Sequence, residues 1–177
     1  GIQALGGKIV ERGNNRLEIF MPKRPKGVIY TFEKNTHCGT ENLILASVFN
    51  RKKVTLKNAA EEPEVDNLIE CLNDMGAKIK RVAPRTIEIE GVKPFLSGVI
   101  TTSIPDRLEA ATALILSTMN GGNIIVKGAV PKLLEKFTKA LNDVGVEISF
   151  KKNIAKINKI KIPLKPINIT TDIHPGF

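Results

Sequence analysis

The chain has 177 residues, 42% of them hydrophobic, with 27 Lys and Arg against 18 Asp and Glu, a net charge of +9. This composition supports a buried core, and no apolar run is long enough to predict a membrane span or a secretory signal peptide. Two cysteines, Cys38 and Cys71, do not make a disulfide framework, so a reducing cytoplasm is expected. With Tyr30 as the only Tyr and no Trp for base stacking, we do not expect nucleic acid to be the main partner, despite the positive charge.

The first complete set of predicted elements is strand, helix, strand, helix, strand, strand. Their ranges are a strand at 28–32, a helix at 40–49, a strand at 54–57, a helix from Pro63 to Gly76, and a hairpin of strands at 78–80 and 86–90. The helix at 40–49 is apolar around nearly its whole circumference, which predicts burial on all sides. Pro63 favours a helix start, and Gly76 favours a left-handed end.

A second set repeats each step further along the chain. Residues 110–116 predict the apolar helix, 124–126 a strand, and Pro131 to Gly145 an amphipathic helix. Six lysines between residues 151 and 165 alternate with apolar residues, as on solvated strand faces. Strands with one solvent-exposed face beside fully buried helices predict a fold with the helices in its interior and the sheets on its outside.

An internal repeat explains why the two sets match. Ser47 and Asn50 return, at the same spacing from each other, as Ser117 and Asn120. The run LNDMGAKI at 72–79 returns in the same order as LNDVGVEI at 141–148. Because residues 5–9 resemble the end of a repeat and 169–173 resemble a beginning, we predict two whole units and two partial ones.

Several motifs in the same order make the chain resemble the UDP-N-acetylglucosamine enolpyruvyl transferases. They are Gly39-Thr40-Glu41-Asn42, Lys57-Asn58-Ala59-Ala60, Glu62-Pro63-Glu64, Met75-Gly76-Ala77-Lys78-Ile79, Ile104-Pro105-Asp106-Arg107-Leu108-Glu109 and His174-Pro175-Gly176-Phe177. The resemblance covers essentially the whole chain. It implies an α/β (α+β) fold, an inside-out α/β barrel built of βαβαββ repeats, which agrees with the pattern of elements.

The resemblance also implies a domain boundary. Residues 1–104 would be the C-terminal part of the first domain, with the tail of one repeat at 1–26 and a full repeat at 27–97. Residues 105–177 would be the N-terminal part of the second domain, with a full repeat at about 98–165 and the start of the next at 166–177.

The implied reaction transfers the enolpyruvyl group of phosphoenolpyruvate to the 3-hydroxyl of UDP-N-acetylglucosamine, with release of phosphate. It implies a cytoplasmic enzyme of peptidoglycan synthesis, with no cofactor, metal or membrane partner. The family's catalytic residues match no position present here, so we expect the 177-residue chain to be inactive alone. We expect it to need the remainder of its own chain and to expose apolar helix faces without it.

By resemblance, Lys34, Asn35, Thr36 and His37 form the segment that holds the nucleotide part of the substrate. A lysine beside a diphosphate supplies charge, Thr36 can bond an oxygen, and the following helix start favours an anion. Without the resemblance, Lys34 would be interpreted as a solvated strand-end lysine and Thr36 as a turn residue. Cys38 matches a position that is not the family's reactive cysteine, and no catalytic role is expected for it.

Four further residues match cleft positions of the family: Glu62, Glu64, Asp106 and His174. Glu62 and Glu64 flank Pro63, so they could equally complement a helix dipole. Asp106 could equally be an N-terminal helix residue, and a lone histidine near a turn is otherwise unremarkable.

Three alternative functions stay open on the sequence. The 3-phosphoshikimate enolpyruvyl transferases share the fold and chemistry. The same repeat also occurs in RNA-binding and RNA-end-processing proteins, which suit a charge of +9. A relative without catalytic activity that binds a nucleotide sugar is the last alternative.

Overall fold

A computed structural model describes residues 1–50, 52–93, 97–121 and 123–174. The chain divides into two compact units, Gly1–Thr102 and Ser103–Phe177. Across the described residues, every helix is too short or too polar to cross a membrane.

Unit 1 contains six strands and two helices among its described residues. In chain order they are β1 (Lys8–Glu11), β2 (Leu17–Phe20), β3 (Ile29–Thr31), α1 (His37–Ser47), β4 (Val54–Lys57), α2 (Pro63–Asp74), β5 (Lys78–Ala83) and β6 (Thr86–Glu90). β1 and β2 form an antiparallel hairpin, and the other four strands form one sheet in the order β3-β4-β6-β5. β3 runs parallel to β4 with α1 as the connection between them, whereas the other pairs of this sheet are antiparallel.

The core of unit 1 lies between this sheet and its two helices. Leu56 and Ile87 face each other across β4 and β6, and both are completely buried. Ile44 of α1 and Val65 of α2 join them in one cluster. The alternating patterns of β4 and β6 therefore place their apolar residues as the sequence predicts.

Unit 2 repeats the helix-strand-helix-strand-strand order. Its elements are α3 (Arg107–Met119), β7 (Ile125–Lys127), a short 3₁₀ helix (Pro131–Leu134), α4 (Glu135–Val144), β8 (Val146–Lys151) and β9 (Ile154–Ile160). The three strands form an antiparallel sheet in the order β7-β9-β8. Leu114, Val126 and Val146 are buried in its core. The predicted helix at Pro131 starts as the 3₁₀ turn and becomes α-helical at Glu135.

Glycines at matching positions show the repeat in the backbone as well as in the sequence. Gly6, Gly76 and Gly145 each precede a strand, with φ angles of +91°, +105° and +111°. A residue with a Cβ rarely adopts this left-handed conformation, so glycine ends each helix or turn at little cost. Asn73 then fixes the chain after Gly76, because its amide donates to the Ile79 carbonyl (2.9 Å) and accepts from the Ile79 N–H (2.9 Å).

The prediction that the two apolar helices are buried on all sides is wrong for the described residues. α1 buries Thr40, Leu43, Ile44 and Ser47, but Leu45 is 51% exposed. α3 buries Ala110, Leu114 and Ser117, but Met119 is 79% exposed. Each helix packs against neighbours of its own unit on one side only, which leaves the expected apolar faces exposed.

The first strand predicted for the second repeat is also absent from the residues that the structure describes. The described residues from 97 to 106 form no strand, and Ile100 is fully exposed. The matching strand in unit 1, β3, is held by its parallel pairing with β4. Residues 98–102 pair with no strand in the described part of the chain, because the chain passes there from one compact unit to the next.

Candidate functional site

The parallel pairing of β3 and β4 brings two loops to one edge of the unit 1 sheet. Lys34–His37 follows β3, and residues 58–62 follow β4 and lead into α2; we call residues 58–62 the β4–α2 loop. The Phe32 N–H donates to the Lys57 carbonyl (3.0 Å), which continues the pairing to this edge. Because parallel strands end at the same edge, the predicted nucleotide segment and Glu62 lie at the same end of the sheet.

Thr36 is the N-cap of α1. Its backbone is extended, with φ −150° and ψ 120°, and its Oγ1 accepts a hydrogen bond from the Gly39 N–H (3.2 Å). A hydroxyl has one hydrogen to donate and two acceptor positions, so Thr36 can still donate to a ligand oxygen while it caps the helix. The turn interpretation and the binding interpretation of Thr36 are therefore compatible.

Two asparagines connect the loops at this edge. Asn35 Nδ2 donates to the Asn58 carbonyl (3.3 Å), and Asn58 Nδ2 donates to the Phe32 carbonyl (2.9 Å). Asn58 has φ +53°, and Gly128, its counterpart in the second repeat, has φ +79°. The sequence motif contained Asn58, but its importance was missed; the replacement of asparagine by glycine in the second repeat is the signal of a left-handed position.

The side chains of Lys34 and His37 differ in their contacts with the rest of the protein. Lys34 is exposed, and it forms no ion pair or hydrogen bond within the described part of the chain. His37 Nε2 lies 3.2 Å from Glu41 Oε1, one turn along α1. Lys34 therefore presents a free positive charge, whereas the His37 ring is oriented by its own helix. Cys38 is also exposed, in the first turn of α1.

Glu62 and Glu64 stand at the start of α2. Glu62 is the N-cap position, but its side chain makes no capping hydrogen bond. Its Oε2 is buried and has no hydrogen-bond partner among the residues that the structure describes. Glu64 lies with Asp66 in the first turn, where a carboxylate complements the helix dipole. Of the two, Glu62 occupies the N-cap position without capping the helix.

Asp106 is the N-cap of α3 in unit 2. Its Oδ1 accepts hydrogen bonds from the Leu108 N–H (2.7 Å) and the Glu109 N–H (3.1 Å). His174 is partly buried, and residues 175–177 of its motif lie outside the described residues. No cluster of three or more potential metal ligands occurs in the described ranges.

We expect Asp106→Ala to lower the free energy of unfolding by about 1 kcal/mol, because it removes an N-cap acceptor from two helix amides. Asp106→Asn keeps an acceptor oxygen and should lower the free energy of unfolding by only about 0.3 kcal/mol. Urea denaturation of the intact protein measures both. Equal losses for the two variants would mean that the negative charge, rather than the cap, stabilises this position.

A family model for EPSP synthase (3-phosphoshikimate 1-carboxyvinyltransferase) matches residues 1–177. The chain belongs to the EPSP synthase family. A UDP-N-acetylglucosamine 1-carboxyvinyltransferase of Hydrogenovibrio crunogenus is 40% identical and covers 100% of this chain. Enzymes of the same name from Bartonella quintana and Endomicrobium trichonymphae are 38% and 37% identical, over 100% and 98% of it. The chain spans only 42%, 41% and 41% of the lengths of these three relatives.

Solved structures of family members confirm the predicted fold class. The enolpyruvyl transferase NikO from Streptomyces tendae has a TM-score of 0.82, covers 99% of this chain and is 17% identical; the chain covers 44% of it. An EPSP synthase from Acinetobacter baumannii has a TM-score of 0.58, covers 88% of this chain and is 17% identical; the chain covers 36% of it. Both likenesses show the α+β fold of this chain.

The structure brings some of the predicted site residues close together. Lys34, Asn35 and Thr36 lead into α1 at His37, and this segment is hydrogen-bonded to the β4–α2 loop that carries Glu62 in unit 1. Asp106 and His174 belong to unit 2. The specific roles of all these residues stay predictions.

Proposed function

We propose that the protein containing this chain transfers the enolpyruvyl group of phosphoenolpyruvate to the 3-hydroxyl of UDP-N-acetylglucosamine. The connection between the Lys34–His37 segment and the β4–α2 loop carries this proposal. It places a free lysine, a capped helix start and a carboxylate without a structural partner at one sheet edge. The relatives at 37–40% identity that share the name UDP-N-acetylglucosamine 1-carboxyvinyltransferase support the choice of substrate.

In the proposed reaction, the sugar 3-hydroxyl gives up its proton to a base as its oxygen bonds to C2 of phosphoenolpyruvate, while an acid delivers a proton to C3. Loss of a proton from C3 and of phosphate from C2 then restores the double bond. Both steps need proton transfer and stabilisation of anionic oxygens, and the proposed reaction uses no cofactor or metal. The residues that would perform the proton transfers match no position in this chain.

Lys34 and Thr36 have binding roles in this proposal, whereas the carboxylates and His174 lie where the transfer takes place. Lys34 would face the diphosphate, Thr36 would donate its hydroxyl hydrogen, and the first-turn amides of α1 would favour the negative charge. Glu62, Glu64, Asp106 and His174 would line the cleft. Residues 1–104 and 105–177 would belong to two different domains of the intact enzyme.

We also propose that the enzyme works in the cytoplasm, at the start of peptidoglycan synthesis. The remainder of its own chain is the one macromolecular partner that the proposal needs, and neither a membrane nor nucleic acid takes part.

Phosphate release from phosphoenolpyruvate by the intact protein tests the reaction. We expect release above a control without protein when UDP-N-acetylglucosamine is present, and none when shikimate 3-phosphate replaces it. The reverse result would assign the protein to the 3-phosphoshikimate reaction, for which the family model is named. If neither acceptor supports phosphate release and the protein shifts single-stranded RNA in a salt-dependent way, the RNA-binding alternative would be favoured.

A further inference from the structure

We propose that Thr40 is a positioning residue of the substrate site, which holds the β4–α2 loop against the start of α1. Thr40 follows the predicted nucleotide segment and is completely buried. We therefore propose that it acts without contacting the substrate. The inference rests on the proposed function, since its consequence is an effect on turnover.

The Thr40 hydroxyl makes two hydrogen bonds that join two separate parts of unit 1. Oγ1 donates to the Thr36 carbonyl (2.8 Å) and accepts from the Ala60 N–H (3.0 Å). A hydroxyl has one hydrogen, so this arrangement uses its donor capacity completely. Because the residue is buried, water cannot replace either bond when the side chain changes.

The β4–α2 loop is held from two further sides. The Ala60 carbonyl accepts from Arg81 Nη2 (3.0 Å), and Arg81 Nη2 also contacts Asp66 Oδ1 (2.7 Å). The Ala59 N–H donates to the Arg85 carbonyl (3.0 Å). Ala60 is fully buried, and the side chains of Thr40 and Arg81 hold its N–H and its carbonyl. The position of Glu62, two residues later, therefore depends on these bonds.

Loss of the hydroxyl affects the two parts of the site unequally. The Thr36 carbonyl keeps a bond from the Thr40 backbone N–H (3.0 Å). The buried Ala60 N–H loses its only acceptor among the described residues, and an orphaned buried amide is unfavourable enough to move a loop. The nucleotide segment should therefore stay in place while Glu62 shifts.

Steady-state kinetics of the intact protein with Thr40→Val and Thr40→Ser tests this role. Valine has nearly the shape of threonine without the hydroxyl, whereas serine keeps the hydroxyl. We expect Thr40→Val to lower kcat about tenfold, with the KM for UDP-N-acetylglucosamine changed less than about twofold. Thr40→Ser should recover most of kcat.

Two control variants separate positioning from general destabilisation. Thr112 makes the same bond to the carbonyl four residues earlier, Leu108 (2.8 Å), but it is exposed and its hydroxyl bonds to no other element in the part of the chain that the structure describes. Thr112→Val should leave kcat unchanged. Ile44→Val removes a buried methylene one turn after Thr40, so it lowers stability without removing a hydrogen bond; its kcat should stay within about twofold.

The outcomes distinguish this proposal from the function on which it rests. A wild-type protein that neither binds nor turns over the UDP-sugar would overturn the proposed function, and Thr40's role with it. An active wild type with an equally active Thr40→Val variant would overturn the positioning role alone. Equal losses of kcat in Thr40→Val and Ile44→Val would also overturn it, because lost stability would then explain both.

Discussion

Lys34→Gln in the intact protein is expected to weaken binding of UDP-N-acetylglucosamine roughly 10- to 30-fold. Hydrogen bonds to charged groups contribute about 1.5–3 kcal/mol, and the exposure of Lys34 places it near the lower value. Its charge is not shared with a carboxylate in the described part of the chain, so a diphosphate would not compete with an internal partner. Isothermal titration measures the change in Kd.

Lys52→Gln is the matched control for this measurement. Lys52 is also exposed, but it lies before β4, at the opposite end of that strand from the β4–α2 loop. Its loss should change Kd less than about twofold. The wild-type affinity should also fall more steeply with salt than that of Lys34→Gln. Unchanged binding by Lys34→Gln would remove Lys34 from the substrate site.

Gly91→Ala is expected to lower the free energy of unfolding by about 2–4 kcal/mol. A Cβ at Gly91 would overlap the carbonyl oxygen of Asn50, just beyond the end of α1. That oxygen accepts from Arg24 Nη2 (3.0 Å), and the neighbouring Val92 N–H donates to the Val48 carbonyl (3.0 Å). The alanine must displace backbone that these bonds hold in place.

Urea denaturation of the intact protein tests this prediction, with Gly98→Ala as its control. A Cβ at Gly98 would meet no described atom within 4 Å, and its φ is not left-handed. Alanine there should be neutral or slightly stabilising. If the urea midpoint of Gly91→Ala equals that of the wild type, the close approach to Asn50 is not rigid. Because α1 carries the candidate site at its other end, a large loss of stability should also weaken substrate binding.

Local signals in the sequence predicted much of the fold. Pro63 and Gly76 bound α2, and the alternation of apolar residues defined β4 and β6. These signals act within a few residues, through fixed φ angles and the periodicity of one element. The same reasoning failed for the first strand of the second repeat, where strand formation needs a partner from elsewhere in the chain.

The candidate site could be predicted only in part. The segment Lys34–His37 was found by resemblance, and Thr36 does cap α1. Thr40, Asn58 and Arg81 were missed as organisers of the site, since each acts on residues distant in sequence. Thr40 bonds to Ala60 and Asn58 bonds to Phe32, both across long stretches of chain.

The repeat, its helix ends and the alternating faces of its strands follow from the amino-acid sequence alone, because they depend on local backbone preferences and periodicity. Which face of α1 is buried, and which side chains hold the β4–α2 loop, became visible only in the folded chain. Burial and cross-element hydrogen bonds depend on which segments pack together. The parallel pairing of β3 with β4 fixes that packing, and no local pattern of residues encodes it.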